Sequence, residues 1–228
     1  AAPPRVVGAD VHSCPQAPCS ILHLPGLAGL LPLSVATWNS ASLFGALHSA
    51  TCRASAKRSL HARLLAANSV VFAQETRGSS GDLAILGHTH RHFGTFKDVD
   101  EDLATSRAGG VVTSVHIGII DMAHTINEKV FAAGRCLAVR VSGAGFILLL
   151  INIHINPQWT FIQKKYVFRA VADYISTTPA AIVFFGGDFN FSHDDDRRLN
   201  SATGLEVEGY DPIAHSFESS FPSLVELA

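Results

Sequence analysis

Four short apolar runs in this chain stop abruptly at polar residues of the kind catalysis uses. They are Ser34-Val-Ala-Thr-Trp38-Asn39, Val70-Val-Phe-Ala-Gln74-Glu75, Leu148-Leu-Leu-Ile-Asn152-Ile-His154 and Ile182-Val-Phe-Phe-Gly186-Gly187-Asp188-Phe189-Asn190. Short runs rich in Val, Ile and Phe read as buried strands. Neighbouring strands lie ~4.8 Å apart, so if these four are adjacent in facing sheets, their polar ends converge on one small patch. A carboxylate in such a patch stays ionised only beside a positive partner. The pair Glu75 and Asp188, flanked by amides, therefore points to a divalent cation. An oxygen-rich, sulfur-free donor set favours Mg2+ or Mn2+ over Zn2+. The Gly186-Gly187 pair lets backbone approach a ligand closely, which suits a phosphate.

The rest of the chain alternates between short apolar runs and helical stretches, the pattern of an α/β sandwich. Strands are expected at 33–38, 69–73, 109–116, 135–141, 146–153 and 180–185. Ala56, Leu60, Leu64 and Ala67 recur at helical spacing and predict a helix over 54–68. Ile162, Tyr166, Val167, Ala170, Val171 and Tyr174 predict another that ends before Pro179. Ser142-Gly143-Ala144-Gly145 joins two strands as a hairpin connection, so part of the sheet structure is expected to be antiparallel. Residues 1–32 hold six of the ten prolines and no clear period. They are expected to be a leader or linker, with the domain occupying 33–228.

With 17 Lys and Arg against 19 Asp and Glu, the net charge of −2 weighs against a uniformly basic nucleic-acid binder. Five of the acids (Glu206, Glu208, Asp211, Glu218, Glu226) fall in 205–228, which has no Lys or Arg, so the remainder carries +3. Arg53, Lys57, Arg58, Arg63, Arg77 and Arg91 lie in a stretch whose only acids are Glu75 and Asp82. That stretch could touch a nucleic-acid backbone or be a solvated helix face. The four cysteines lack zinc-site pairing and fall far below disulfide-scaffold density, which points to free thiols and an intracellular setting, the nucleus included. The richest N-terminal apolar run, Ile21 to Val35, is broken by Pro25, Gly26, Gly29 and Pro32, so no membrane span is expected.

Taken in order, the motifs resemble those of the endonuclease/exonuclease/phosphatase superfamily. They stand here as Thr37-Trp38-Asn39, Ala73-Gln74-Glu75-Thr76, Ala108-Gly109-Gly110-Val111-Val112, Asn152-Ile153-His154 and Gly187-Asp188-Phe189-Asn190. Gln74-Glu75-Thr76-Arg77-Gly78 and the Phe191-Ser192 after Asn190 look most like the endonuclease domain of non-LTR retrotransposons. The resemblance implies a two-sheet α/β sandwich of mixed strands flanked by helices, and Mg2+- or Mn2+-dependent phosphodiester hydrolysis of nucleic acid, DNA first. It implies that Glu75 is the principal metal ligand, with Asn39 assisting at the metal or phosphate. Asp188 would orient or deprotonate the attacking water, Asn190 would hold the phosphate and align Asp188, and His154 would contact the scissile phosphate or protonate the leaving oxygen. Asn152, Trp159 and Lys164 are the expected substrate contacts, Trp159 by stacking, although ordinary packing competes for Trp159. No protein partner is expected.

One departure stands out. The superfamily closes on a Ser-Asp-His motif, and none occurs here; the late histidines His193 and His215 do not end apolar strands. The chain is therefore expected to be incomplete at its C-terminus. Two other readings stay open: a phosphatase or phosphodiesterase acting on a small phosphorylated substrate, and a non-catalytic nucleic-acid-binding remnant. Gly87-His88-Thr89-His90 and Asp10-Val11-His12 match fragments of calcineurin-like phosphoesterase motifs, but the two intervening motifs are missing. His88, His90 and His92 would share one strand face, expected to be exposed and polar rather than metal-binding.

Overall fold

The computed structural model describes residues 5–8, 33–97, 109–180, 182–190, 216–217 and 219–221. In chain order the strands are β1 (Arg5–Gly8), β2 (Val35–Asn39), β3 (Val70–Gln74), β4 (His90–Thr95), β5 (Val111–His116), β6 (Ala123–Ala132), β7 (Cys136–Gly143), β8 (Phe146–His154) and β9 (Ile182–Asp188). The helices are α1 (Leu43–Leu47), α2 (Cys52–Ala67), α3 (Ile117–Asp121) and α4 (Phe161–Thr177), and a 3-10 turn spans Ser80–Leu86. Two open mixed sheets result, of order β1-β9-β8-β7-β6 and β2-β3-β5-β4. None of the described helices is long and apolar enough to cross a membrane.

Residue parity explains why these strands stack as two layers. Successive side chains on a strand point to opposite faces. On β8, Leu148 and Leu150 enter the core between the sheets, whereas Leu149, Ile151 and Ile153 join the core under α4. On β9, Ile182 and Phe184 face between the sheets, and Val183 and Phe185 face α4. The facing sheet contributes Val70, Phe72, Val111 and Val115 to the same layer. Runs apolar at every position are thus strands buried on both faces. α4 starts at a capping box, in which Gln163 N donates to Thr160 Oγ1 (3.3 Å) and Thr160 N to Gln163 Oε1 (2.9 Å). It buries Val167, Phe168 and Val171 on the outer face of the larger sheet.

The structure differs from the sequence reading at several points. β6 was not anticipated: six of its ten residues are exposed and five are polar, as suits an edge strand, so no apolar run spans it. It pairs with β7 through a turn at residues 133–135, where Gly134 takes φ 65°. Arg5–Gly8, inside the segment read as a leader, pairs in parallel with β9 as the opposite edge. The glycines of Gly186-Gly187 serve packing: a Cβ on Gly186 would collide with the Phe72 ring of the facing sheet, and one on Gly187 with the Ile153 carbonyl.

Asn152 has a different job from the substrate contact expected of it. It is fully buried, and its amide spans the sheets. Gln74 Nε2 donates to Asn152 Oδ1 (2.8 Å), while Asn152 Nδ2 donates to the carbonyls of Val112 (2.9 Å) and Ala73 (3.3 Å). Gln74 Nε2 also donates to Thr37 Oγ1 (3.1 Å). Asn152→Leu strips partners from several buried polar groups at once. It is expected to cost about 2–4 kcal/mol of folding stability, read as a lower urea midpoint.

Of the histidines expected on one exposed face, His88 is exposed, but His90 is buried and His92 half-buried. His90 is 3% exposed, with Nε2 2.9 Å from the Asn68 carbonyl, and His92 lies between Ser114 Oγ (2.8 Å) and the Gly87 carbonyl (3.2 Å). His61, 5% exposed, stacks on Trp38. Burial lowers the pKa of all three, with neighbouring histidines adding to the effect, and takes His61 down to about 4. A folded pKa below the unfolded 6.5 means that the unfolded chain binds protons first. The stability is present above pH 6.5 and is lost as pH falls toward 4. Urea midpoints should therefore drop between pH 6.5 and 5, by about 2 kcal/mol for His61 alone, and His61→Phe should flatten that slope.

Candidate metal centre

The site begins where the apolar layer between the sheets ends. β8 and β9 pair in parallel, with Asn152 opposite Gly186 and His154 opposite Asp188. Parity carries Leu148 and Leu150 on to Asn152 and His154, and Ile182 and Phe184 on to Gly186 and Asp188, all on the inter-sheet face. In the other sheet Asn39 lies opposite Gln74. The polar ends of all four runs therefore meet at one edge of the sandwich.

Glu75 breaks the parity. One residue beyond Gln74, it would point away from the site if the strand continued, but its backbone turns left-handed at φ 51°. Such a conformation costs a non-glycine residue about 1–2 kcal/mol and persists because hydrogen bonds hold it. Ser42 N donates to the Glu75 carbonyl (2.7 Å), Thr76 N to the Gly110 carbonyl (3.1 Å) and Arg77 N to the Gly109 carbonyl (2.8 Å). Gly109 and Gly110 take φ 106° and 89°, and a Cβ on Gly110 would lie 2.5 Å from Thr76 Oγ1.

The turn brings the Glu75 carboxylate to His154 and Asp188, one ligand atom of each lying within 4.8 Å of the others. Among the described residues this is the only such group of three or more His, Cys, Asp or Glu side chains. Each Asp188 oxygen has a donor: Asn39 Nδ2 on Oδ2 (2.7 Å) and the Asn190 amide on Oδ1 (3.1 Å). Asn190, itself at φ 49°, sends its side-chain Nδ2 to the Ile155 carbonyl (2.7 Å). Asn39 Oδ1 accepts from Ala41 N (3.2 Å), and Lys57 Nζ reaches from α2 to the carbonyls of Ser40 (2.9 Å) and Ala41. The loop carrying Asn39 is thus tied to α2.

His154 is 2% exposed, with Nε2 3.5 Å from Glu75 Oε1. Its pKa is lowered, first by burial and then by the Arg135 guanidinium, against the opposing pull of Asp188 and Glu75. Arg135 Nη1 lies 2.9 Å from His154 Nδ1 and 3.4 Å from Nε2. Burial also lowers the Arg135 pKa, Glu75 opposing, but a guanidinium keeps its proton in proteins. Arg135 escaped the sequence reading because it sits in the β6–β7 turn, outside every motif, with nothing local to distinguish it from a solvated cation.

The other two expected substrate contacts, Trp159 and Lys164, stand at the start of α4. Lys164 is 8% exposed in the first turn of α4, leaving little surface to offer a groove. Trp159 is half-buried and packs against the core under α4. His193 and His215 lie outside the described residues.

The half-buried Glu75 and Asp188 carboxylates and the exposed Asn39 amide oxygen, beside the buried His154 imidazole, form a donor set that fits a divalent cation. Unneutralised, the two carboxylates would repel at this distance; Arg135 beside His154 and Arg77, whose Nη2 lies 3.5 Å from Glu75 Oε2, offset part of that repulsion.

No family model and no curated protein sequence matches the chain. Its fold is similar to that of the AP endonuclease LMAP from Leishmania major (TM-score 0.56, 16% identity, covering 82% of this chain and 65% of that one). It is also similar to the endonuclease domain of TRAS1, a telomere-specific non-LTR retrotransposon (TM-score 0.50, 13% identity, covering 85% and 73%). A weaker likeness links it to TDP2 of D. rerio, solved with single-strand DNA product (TM-score 0.49, 20% identity, covering 71% and 62%). The chain thus spans slightly under two thirds of LMAP and of TDP2. Its two mixed sheets and flanking helices form an α/β sandwich of the endonuclease/exonuclease/phosphatase type.

Proposed function

We propose that this site hydrolyses phosphodiesters of nucleic acid, DNA first, with Mg2+ or Mn2+, in the manner of an endonuclease. The observation that carries the reading is the convergence of Glu75, His154 and Asp188 at the shared edge of two sheets. Glu75 would hold the cation, with the Asn39 carbonyl oxygen beside it. A cation there supplies neutralisation of the non-bridging phosphate oxygens. Asp188, its oxygens oriented by Asn39 and Asn190, accepts the proton of the attacking water. His154 offers a ring N–H to the phosphate or the leaving oxygen. Asn190 acts chiefly by aligning Asp188, because its side-chain amide is already engaged with Ile155. The non-LTR retrotransposon endonuclease is the proposed template, on the strength of the Gln74-Glu75-Thr76-Arg77-Gly78 motif and the likeness to TRAS1.

Plasmid nicking tests the proposal. Nicking should require Mg2+ or Mn2+, vanish with EDTA, and fall about 10²–10⁴-fold in Asp188→Asn, with Glu75→Gln at least as impaired. Nicking that survives EDTA or Glu75→Gln would overturn it. Turnover of p-nitrophenyl phosphate without nicking would assign the site to small monoesters, and DNA binding without hydrolysis would assign it to a non-catalytic remnant.

A further inference from the structure

Residues 33–74 contain four basic residues and no Asp or Glu, and the fold sorts those cations by position. α2 runs from the site end of the smaller sheet to its far end, because β3 starts where α2 finishes and leads to Gln74. Arg53 and Lys57 stand in the first two turns of α2, at the site end, one turn apart and so on one face. Arg63 lies about 15 Å further along the helix axis. Arg58 is committed to the chain itself, its Nη1 donating to the carbonyls of Ala46 (2.7 Å) and Ser49, and Arg91 sits over the Phe93 ring.

Arg77 joins Arg53 and Lys57 from the other side. Its backbone is left-handed at φ 53°, its amide donates to the Gly109 carbonyl (2.8 Å), and a Cβ on the next residue, Gly78, would come within 2.1 Å of the Phe44 ring. The Arg77 loop is thus packed on α1, which packs on α2. Arg77 Nη2 lies 3.5 Å from Glu75 Oε2. Lys57 Nζ, held on the carbonyls of Ser40 and Ala41, senses the whole group: burial lowers its pKa first, then repulsion from Arg53 and Arg77, with Glu75 opposing. Three cations therefore border the Glu75 side of the candidate metal centre. Asp82, the next acid in the chain, is engaged by the Ser79 amide and hydroxyl (2.8 Å each).

This face is exposed at Arg53 and Arg77. None of the exposed large apolar side chains among the described residues belongs to α1, α2 or the Arg77 loop, so the face lacks what an amphipathic surface needs to enter a lipid interface. A polyanion that also reaches Glu75 and Asp188 fits it better. Guanidinium forks match phosphate oxygens two at a time, and a nucleic-acid strand repeats its charge along its length. We propose that Arg53, Lys57 and Arg77 form a phosphate-binding rim on the α2 side of the site, which grips the nucleic-acid backbone next to the scissile phosphodiester. The identity of the ligand rests on the nucleic-acid reading above.

Fluorescence anisotropy with a labelled DNA duplex in EDTA, over about 50 to 200 mM KCl, measures the rim apart from hydrolysis. Arg53→Gln should weaken binding about 3–10-fold and lower the slope of log Kd against log salt by about 1, and the double variant Arg53→Gln, Arg77→Gln should lower it by about 2. Arg63→Gln, at the far end of α2, should match the wild type. In nicking with Mg2+, Arg53→Gln should raise KM more than it lowers kcat. A salt slope unchanged in the double variant, while the wild type nicks DNA, would overturn the rim and leave the hydrolytic reading intact. So would an Arg63→Gln variant as weakened as Arg53→Gln, the mark of general charge, or Arg53-dependent binding of phosphatidylserine vesicles in place of DNA. Arg53-dependent DNA binding without nicking keeps the rim and overturns hydrolysis, and a wild type that neither binds nor nicks DNA overturns both.

Discussion

The layer between the two sheets changes from oil to polar network at the Gln74–Asn152 hydrogen bond, and the site depends on that change. Below it, Val70, Phe72, Leu148, Leu150 and Phe184 close the layer. At it, one amide from each sheet satisfies the other. Above it stand His154, Asp188 and Glu75. A buried amide pair is tolerated only when its atoms find partners, and here the partners lie in both sheets, so it also fixes how one sheet sits on the other. A slip of one residue on β8 would turn Asn152 and His154 toward α4 and bring Ile151 and Ile153 to the site.

Strain and charge are concentrated just beyond that point. Glu75, Arg77 and Asn190 all adopt left-handed backbone conformations. Two of them are candidate site residues, and the hydrogen bonds that hold them come from other segments: the loop after β2, the Gly109-Gly110 segment, and the end of β8. The same segments gather two carboxylates around a buried imidazole and a half-buried guanidinium. With Arg77 Nη2 also 3.5 Å from Glu75, it is the convergence of oxygen donors, not a deficit of positive charge, that suits a cation.

Much of this is visible in the chain as written. The apolar runs β3, β8 and β9 stand out because each is buried on both faces over most of its length, whereas β2 is a half-buried edge strand, and the endings of all four name the polar residues that the fold collects. β6 does not stand out, because an exposed edge strand carries the residues of a loop. Asn152 illustrates a different limit. Its place in an Asn-x-His motif says that it matters, but whether it faces a substrate or the opposite sheet depends on what lies across from β8. Lys164 is similar: a lysine at the start of a helix reads as solvated, and its burial follows from how α4 docks. The Gly186-Gly187 pair, legible as a close approach, makes room for Phe72 and the Ile153 carbonyl rather than for a ligand.

The sequence by itself determined which residues end the strands and on which face each must lie, because the two-residue period of a strand is a local property. It thereby determined that Asn39, Gln74, His154 and Asp188 would be available at strand ends. Only the tertiary structure decided that Glu75, against its parity, joins them, since a left-handed turn at that residue is held by bonds from distant segments. The tertiary structure alone also brought Arg135 to His154. A turn between two strands carries no sequence record of its neighbour nineteen residues on, and the contact exists because β7 and β8 pair in a register that returns the chain to the same edge.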